Sequence, residues 1–296
     1  MDSRRALAFL LLAAASLLWS GNWILGRALR EAFDPVSLNF WRWLVAVLAI
    51  APFAAREAWR RRDVVRRNAG LLLVLALSGV AAFQTLVYLG LESTTAINAV
   101  LINAAGPLFM VACSWLLERE HATAKQVAGM LLALAGVIVI VCQGEASRLL
   151  ALEFHRGDGW ILLAMPLWGF YSVLLKRCPA ELRGLPFVFV VGVLGVAMLA
   201  PFYAVEAART AIGWPEPRNV ASVLYVALAA SVVAFLCWNR GVAIVGANAA
   251  GFTLPLLPAF GTLLAIALLG ERFQLYHAAG IATILAGVIL ATRRAR

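Results

Sequence analysis

The chain has 296 residues, 63% of them hydrophobic and 14% charged, with a net charge of +10 and a mean hydropathy of +0.88. A soluble domain carries roughly a quarter charged residues, so this composition excludes a disordered chain and argues against a soluble one. The few charges leave nine charge-free stretches of at least 17 residues, at 6–26, 68–91, 93–117, 126–144, 159–175, 184–205, 219–239, 241–270 and 273–292. Each can cross about 30 Å of hydrocarbon as a helix, so any function is carried out within a lipid bilayer.

The first span follows Arg4 and Arg5 and contains Ala13, Ala14 and Ala15, the outline of a secretory signal. Its apolar run continues through Trp19 and Trp23 to Gly26, longer than a signal, and is read as a retained helix with Asn22 between the two tryptophans. A tenth span at about 36–55 is interrupted only by Arg42, about two turns in from one end. Its guanidinium is read as snorkelling to the interface or pairing with backbone carbonyls, with a substrate carboxylate as the other reading. The basic run Arg56–Arg67 that follows reads as a topology anchor beside anionic lipid, not as a nucleic-acid patch.

The third span carries Gln84 with Phe83 and Tyr88; the fourth carries Asn98, Asn103 and the pair Gly106 and Pro107. A polar linker at 143–158 precedes the sixth span, which holds Pro166, Trp168 and Tyr171. The eighth offers Trp238 and Asn239, and the ninth offers Asn248, Gly251, Phe252, Thr253, Pro255 and Pro258. Polar groups in a lipid-surrounded bundle face inward. The functional reading is therefore a central cavity with aromatic walls and a few amides, suited to a small amphipathic solute.

Each of these residues also has a structural reading. Asn22, Gln84 and Asn103 suit interhelical hydrogen bonds as well as ligand contact. Trp19, Trp23 and Trp238 lie near span ends, where aromatic belts form, and Asn98 and Asn248 lie where helix caps form. Pro107, Pro166, Gly251, Pro255 and Pro258 read as hinges or gates that leave carbonyls free for an ammonium, or as static kinks. Ala243, Ala247 and Gly251, spaced by four, read as a packing stripe.

A shift of 151 residues aligns Pro35 with Pro186, Gly90 with Gly241, Pro107 with Pro258, Glu120 with Glu271, Gly129 with Gly280 and Gly136 with Gly287. The chain thus divides into residues 1–142, the linker 143–158 and residues 159–296, and each half holds five spans. Five is odd, so the second half enters the membrane from the opposite face: an all-α integral membrane protein of ten helices in two inverted repeats. With the N-terminus inside, cytoplasmic loops hold 17 Lys and Arg against 7 on the other side, which places both termini in the cytoplasm at the inner membrane.

The five-plus-five spans resemble the EamA-type transporters of the drug/metabolite transporter superfamily. So does the twice-repeated pattern Pro107, Glu120, Gly129, Gly136 and Pro258, Glu271, Gly280, Gly287. The resemblance covers the whole chain and implies transport of small metabolites. The aromatic first and sixth spans look most like the YddG-like aromatic amino-acid exporters.

The remaining chemistry inventory is negative. Neither lysine, Lys125 or Lys176, follows a glycine, so a phosphate-binding loop and ATP hydrolysis are not expected. The three histidines are far apart and the four cysteines show no Cys-x-x-Cys spacing, so no metal, cofactor or enzymatic site is expected. All fifteen acidic residues lie outside the charge-free spans, which favours facilitated export or exchange over proton coupling. The expected function is export of aromatic and other apolar amino acids by alternating access. The alternative is proton-coupled efflux of lipophilic cations.

Overall fold

The computed structural model describes residues 3–30, 32–209, 217–269 and 272–292, and among these there is no strand. Ten helices are long and apolar enough to span a membrane: α1 (Ser3–Ala28), α2 (Pro35–Arg60), α3 (Ala69–Ser93), α4 (Ala96–Glu118), α5 (Ala124–Val141), α6 (Arg156–Arg177), α7 (Leu185–Arg209), α8 (Asn219–Val245), α9 (Ala247–Ala267) and α10 (Leu275–Thr292). Outward positions are apolar and exposed, as Leu10, Phe53 and Phe202 show, because the solvent of this face is hydrocarbon. Glu271 of the repeated motif lies outside the described residues.

Local chemistry sets the ends. Pro35 opens α2, Thr95 caps α4 by accepting from the Asn98 N–H at 3.1 Å, and a Thr123–Gln126 capping box opens α5. Gly246, at φ +86°, ends α8 and starts α9 within a stretch that has no charge to mark a boundary. The charge-free stretch 241–270 therefore holds the end of one helix as well as the next. Ala243 lies on α8 while Ala247 and Gly251 lie on α9, so the three do not form one helical stripe.

The two halves exchange their first helices. α1 packs on α8 and α9 of the second half, and α6 packs on α3 and α4 of the first. Two further helices of each half pair with their own counterparts, α2 with α7 and α5 with α10. Glycines permit the closest approaches. A Cβ on Gly129 would stand 2.6 Å from Gly287 O, and one on Gly136 would stand 2.7 Å from Gly280 O, so α5 and α10 meet backbone to backbone. Gly241 likewise seats Leu12 of α1 against α8.

Two irregularities recur at matching positions. α3 widens to a π-helical turn at Leu77–Ala82 and α8 does so at Tyr225–Val233. Each leaves backbone groups free for side chains of neighbouring helices. Asn39 of α2 donates to Val80 O and Ala81 O at 3.0 and 3.1 Å, and Trp19 of α1 donates to Ala230 O at 3.0 Å. α4 breaks between Ala104 and Gly106, and α9 breaks between Gly251 and Leu256. In α6, by contrast, the helix runs through Pro166.

Candidate functional site

Because α1 and α6 each lie against the opposite half, their aromatic side chains meet at the centre. Trp168 is the hub of this cluster. Its ring stacks on Tyr171 with centroids 5.1 Å apart, meets Trp19 edge-on at 5.1 Å, and lies 4.9 Å from Phe83, 5.5 Å from Trp238 and 5.7 Å from Phe235. Trp19 is 5% exposed and Trp238 is not exposed at all, so neither is a belt anchor, although both lie toward span ends in the sequence. Their polar tips are satisfied inside the bundle. Trp238 donates to Ser172 Oγ at 3.2 Å, and Tyr171 OH donates to Asn239 Oδ1 at 2.9 Å.

Beside the rings lies a polar cluster centred on Arg42, which is wholly buried. Its Nε donates to Ser231 Oγ at 2.8 Å, and its Nη1 donates to Asn22 Oδ1, Gln84 Oε1 and Tyr88 Oη at 3.3, 3.0 and 2.7 Å. Tyr88 OH in turn donates to Asn22 Oδ1 at 3.0 Å. Arg42 therefore neither snorkels nor pairs with backbone carbonyls. A guanidinium about two turns inside a helix reaches water only along a lipid-facing surface, and this one faces the interior, where Asn22, Gln84, Tyr88 and Ser231 supply four neutral acceptors. Sequence reasoning left Arg42 out of the site because a lone charge does not reveal which way its helix is turned.

Trp19, Asn22, Trp23, Gln84, Asn103 and Trp168 line a shared cavity of about 20 Å³, closed off by Phe83, Gly106, Met165, Leu254 and Leu257. That is room for a water molecule and no more. A cleft of about 1140 Å³ opens on the face that carries the N-terminus, running from Arg4 and Arg240 down to Thr253 and Leu256 at the α9 break. A second, of about 510 Å³, opens on the opposite face between α1, α3 and α4 and ends at Trp23. Trp23 and the α9 break thus separate the cavity from two vestibules on opposite faces.

Several expected residues lie elsewhere. Asn98 is neither in the cavity nor a cap, since Thr95 caps α4. Asn98 Nδ2 instead donates to Glu153 O and Asp158 Oδ2 at 2.8 and 2.7 Å. Asp158 also accepts from the His155 N–H at 2.8 Å and from Thr94 Oγ1, so it latches the start of α6 to the α3–α4 turn. Asn239 lines a separate space of about 180 Å³ with Cys178 and Arg183. Asn248 lies inside the short first segment of α9 and caps nothing, and Phe252 packs against Met130 and Ala291 of α5 and α10. Gly251 seats Met110 of α4, whose sulfur would lie 2.8 Å from a Cβ.

In α9 the carbonyls that Pro255 and Pro258 release are taken up by neighbouring N–H groups. Around Pro255 and Pro258, Gly251 O accepts from the Leu254 N–H and Leu254 O from the Leu257 N–H, both at 2.9 Å. Leu257 O also accepts from Ser20 Oγ at 2.7 Å. Pro107 sits just past the α4 break, in the first turn of the second segment. At the N-terminal face, Lys176 bonds Glu118 and Glu120 at 2.6 and 2.8 Å and ties the end of α6 to the end of α4. All four cysteines are free; burial pushes the Cys178 thiol, in the turn after α6, up to about 11, so it is protonated at neutral pH.

The sequence pattern of the EamA-like transporter family matches residues 6–142 and again 155–293. Similar proteins include the uncharacterized transporter YyaM of Bacillus subtilis, 24% identical over 96% of this chain and 93% of its own length. An uncharacterized transporter of Archaeoglobus fulgidus is 28% identical over 96% and 97% of the two chains. A probable terminal-alkyne amino-acid exporter of Streptantibioticus cattleyicolor is 26% identical over 89% and 86%. One crystal structure shares the fold with a TM-score of 0.72 at 22% identity, covering 96% of each chain.

Proposed function

The chain belongs to the EamA-like transporter family, and from that membership we propose that it exports small metabolites, foremost aromatic and other apolar amino acids, by alternating access without ATP. The observation that carries this reading is the aromatic-and-amide cavity at the junction of two inverted halves, closed between vestibules on opposite faces. Trp19, Trp23 and Trp168 would receive the apolar body of the solute, and Asn22, Gln84 and Asn103 its polar head. Trp23 and the paired breaks of α4 and α9 serve as the two gates. The likeness to a probable terminal-alkyne amino-acid exporter supports the substrate class.

The excess of cationic residues on the N-terminal face supports an inner-membrane protein with both termini cytoplasmic. The two family matches support a division at the linker 143–158. No carboxylate lines the cavity among the described residues, which supports facilitated movement or exchange, and the buried Arg42 charge beside it disfavours lipophilic cations.

The deciding experiment is flux in liposomes holding the purified protein, with labelled aromatic amino acids, a lipophilic cation and a sugar phosphate, each with and without a pH gradient. The expected result is saturable movement of the amino acids in both conditions. Movement of the cation alone, or movement that requires the proton gradient, overturns the reading.

A further inference from the structure

We infer that the Arg42 cluster is a subsite for a carboxylate, and that the transported solute is selected by its carboxylate and not by its ammonium. The inference rests on the central cavity being the transport site. Arg42 is wholly buried, all its hydrogen-bond partners are neutral, and no described ion pair involves it. Its Nη2 has no partner among the described residues. An uncompensated charge in a low-dielectric interior is expensive to hold, and an anionic ligand is what offsets it.

The orientation of the neighbouring amides follows from the chemistry of arginine. A guanidinium only donates, so Asn22 and Gln84, which both accept from Nη1, must turn their carbonyl oxygens toward Arg42. Both side chains also line the cavity, and the group each has left to offer it is an NH2. Asn103 lines the same cavity and adds a third amide to its wall. The part of the polar wall next to Arg42 is therefore made of donors backed by a positive charge, and the solute group that matches it has acceptors and a negative charge: a carboxylate.

An ammonium finds the opposite. It needs acceptors, and the amide oxygens of Asn22 and Gln84 in the cavity wall are turned to Arg42. Arg42 does not line the cavity, so it acts through Asn22 and Gln84 as a positioning residue. Its charge fixes which end of each amide the solute meets.

Binding to the purified protein in nanodiscs, read by tryptophan fluorescence, tests this with four ligands: 3-phenylpropanoate, phenylalanine, phenylalanine methyl ester and phenethylamine. The two acids are expected to bind within about threefold of each other, and the ester and the amine at least about tenfold more weakly. Arg42→Lys, which keeps the charge, should retain most of that preference. Arg42→Gln should bring it toward unity, a change of selectivity that a purely structural arginine would not produce. Gln84→Glu, which supplies Arg42 with an internal carboxylate, should weaken the acids at least about tenfold and spare the amine. It decides the matter if Arg42→Gln fails to fold.

Equal binding of acids, ester and amine by the wild type overturns the subsite, as does unchanged preference in Arg42→Gln or, where that variant does not fold, in Gln84→Glu. A protein that selects carboxylates yet moves none of them in liposomes sustains the subsite and overturns export. Flux of amine and ester equal to that of the acids overturns the subsite and leaves export standing.

Discussion

Trp168 and Gln84 show how much of the candidate site can be read from single residues. Trp168 stood out because an aromatic ring in mid-helix has no interfacial role, and it proves to be the ring that the other aromatics surround. Gln84 stood out as a polar side chain in an apolar span, and it both lines the cavity and accepts from Arg42. Gln84→Ala is expected to lower the affinity for an amino-acid solute about fivefold, the worth of one hydrogen bond, with folded protein retained; flux titration in liposomes measures it. Trp168→Ala should impair flux more severely, because it empties the wall of the cavity. Folded yield by size-exclusion chromatography separates this from collapse, and unchanged rates in both variants would place the solute elsewhere. Asn98 could not be sorted in the same way. Its partner Asp158 is sixty positions away, and no local pattern announces that latch.

Among the elements, the glycines seven residues apart in α5 and α10 were legible as packing devices, because a repeated small residue on an apolar helix has little other use. Their close approach makes a sharp test. Gly287→Ala puts a methyl group 2.6 Å from Gly129 O and should destabilise the protein by about 1–3 kcal/mol, seen as a lower midpoint of thermal unfolding in detergent. Gly261→Ala on α9, where a Cβ meets nothing within 4 Å, should be neutral or slightly stabilising. An equal loss in both would show that α5 and α10 do not meet at these glycines. The π-helical turns were not legible. Residues 77–82 and 225–233 contain no proline, and the wider turn is held by partners from other helices, Asn39 and Trp19, that satisfy the released carbonyls.

On the scale of the whole molecule, the exchange of α1 and α6 gives each half a part in both walls of the cavity, so neither half holds a complete site. The helix ends at the two faces are tied by different chemistry, Asp158 with Thr94 and Asn98 at one and Lys176 with Glu118 and Glu120 at the other. The acidic residues of the spans, Glu57, Glu92, Glu118, Asp158 and Glu206, all lie close to helix ends, so none is placed to carry a proton through the centre. Under the proposed uncoupled transport, a solute with a carboxylate and no ammonium moves as a bare anion. A potential of about 100 mV across liposomes should drive its accumulation on the positive side toward about 50-fold, while zwitterionic phenylalanine equilibrates without accumulation. Accumulation of the anion that follows a pH gradient and ignores the potential would contradict uncoupled transport.

The sequence by itself determined the ten spans, the inverted halves and the glycine seams. Hydrocarbon admits only self-satisfied helices, and charges, prolines and glycines mark where such helices can begin, end and touch. Only the tertiary structure decided what each polar side chain does. Facing is set by packing against helices far away in the chain, which turned Trp19 and Trp238 inward, sent Asn98, Asn248 and Phe252 away from the cavity, and enclosed Arg42 among neutral partners. The sign of the charge was written in the sequence. That it stands beside the central cavity follows from the way α1, α3 and α8 close around α2.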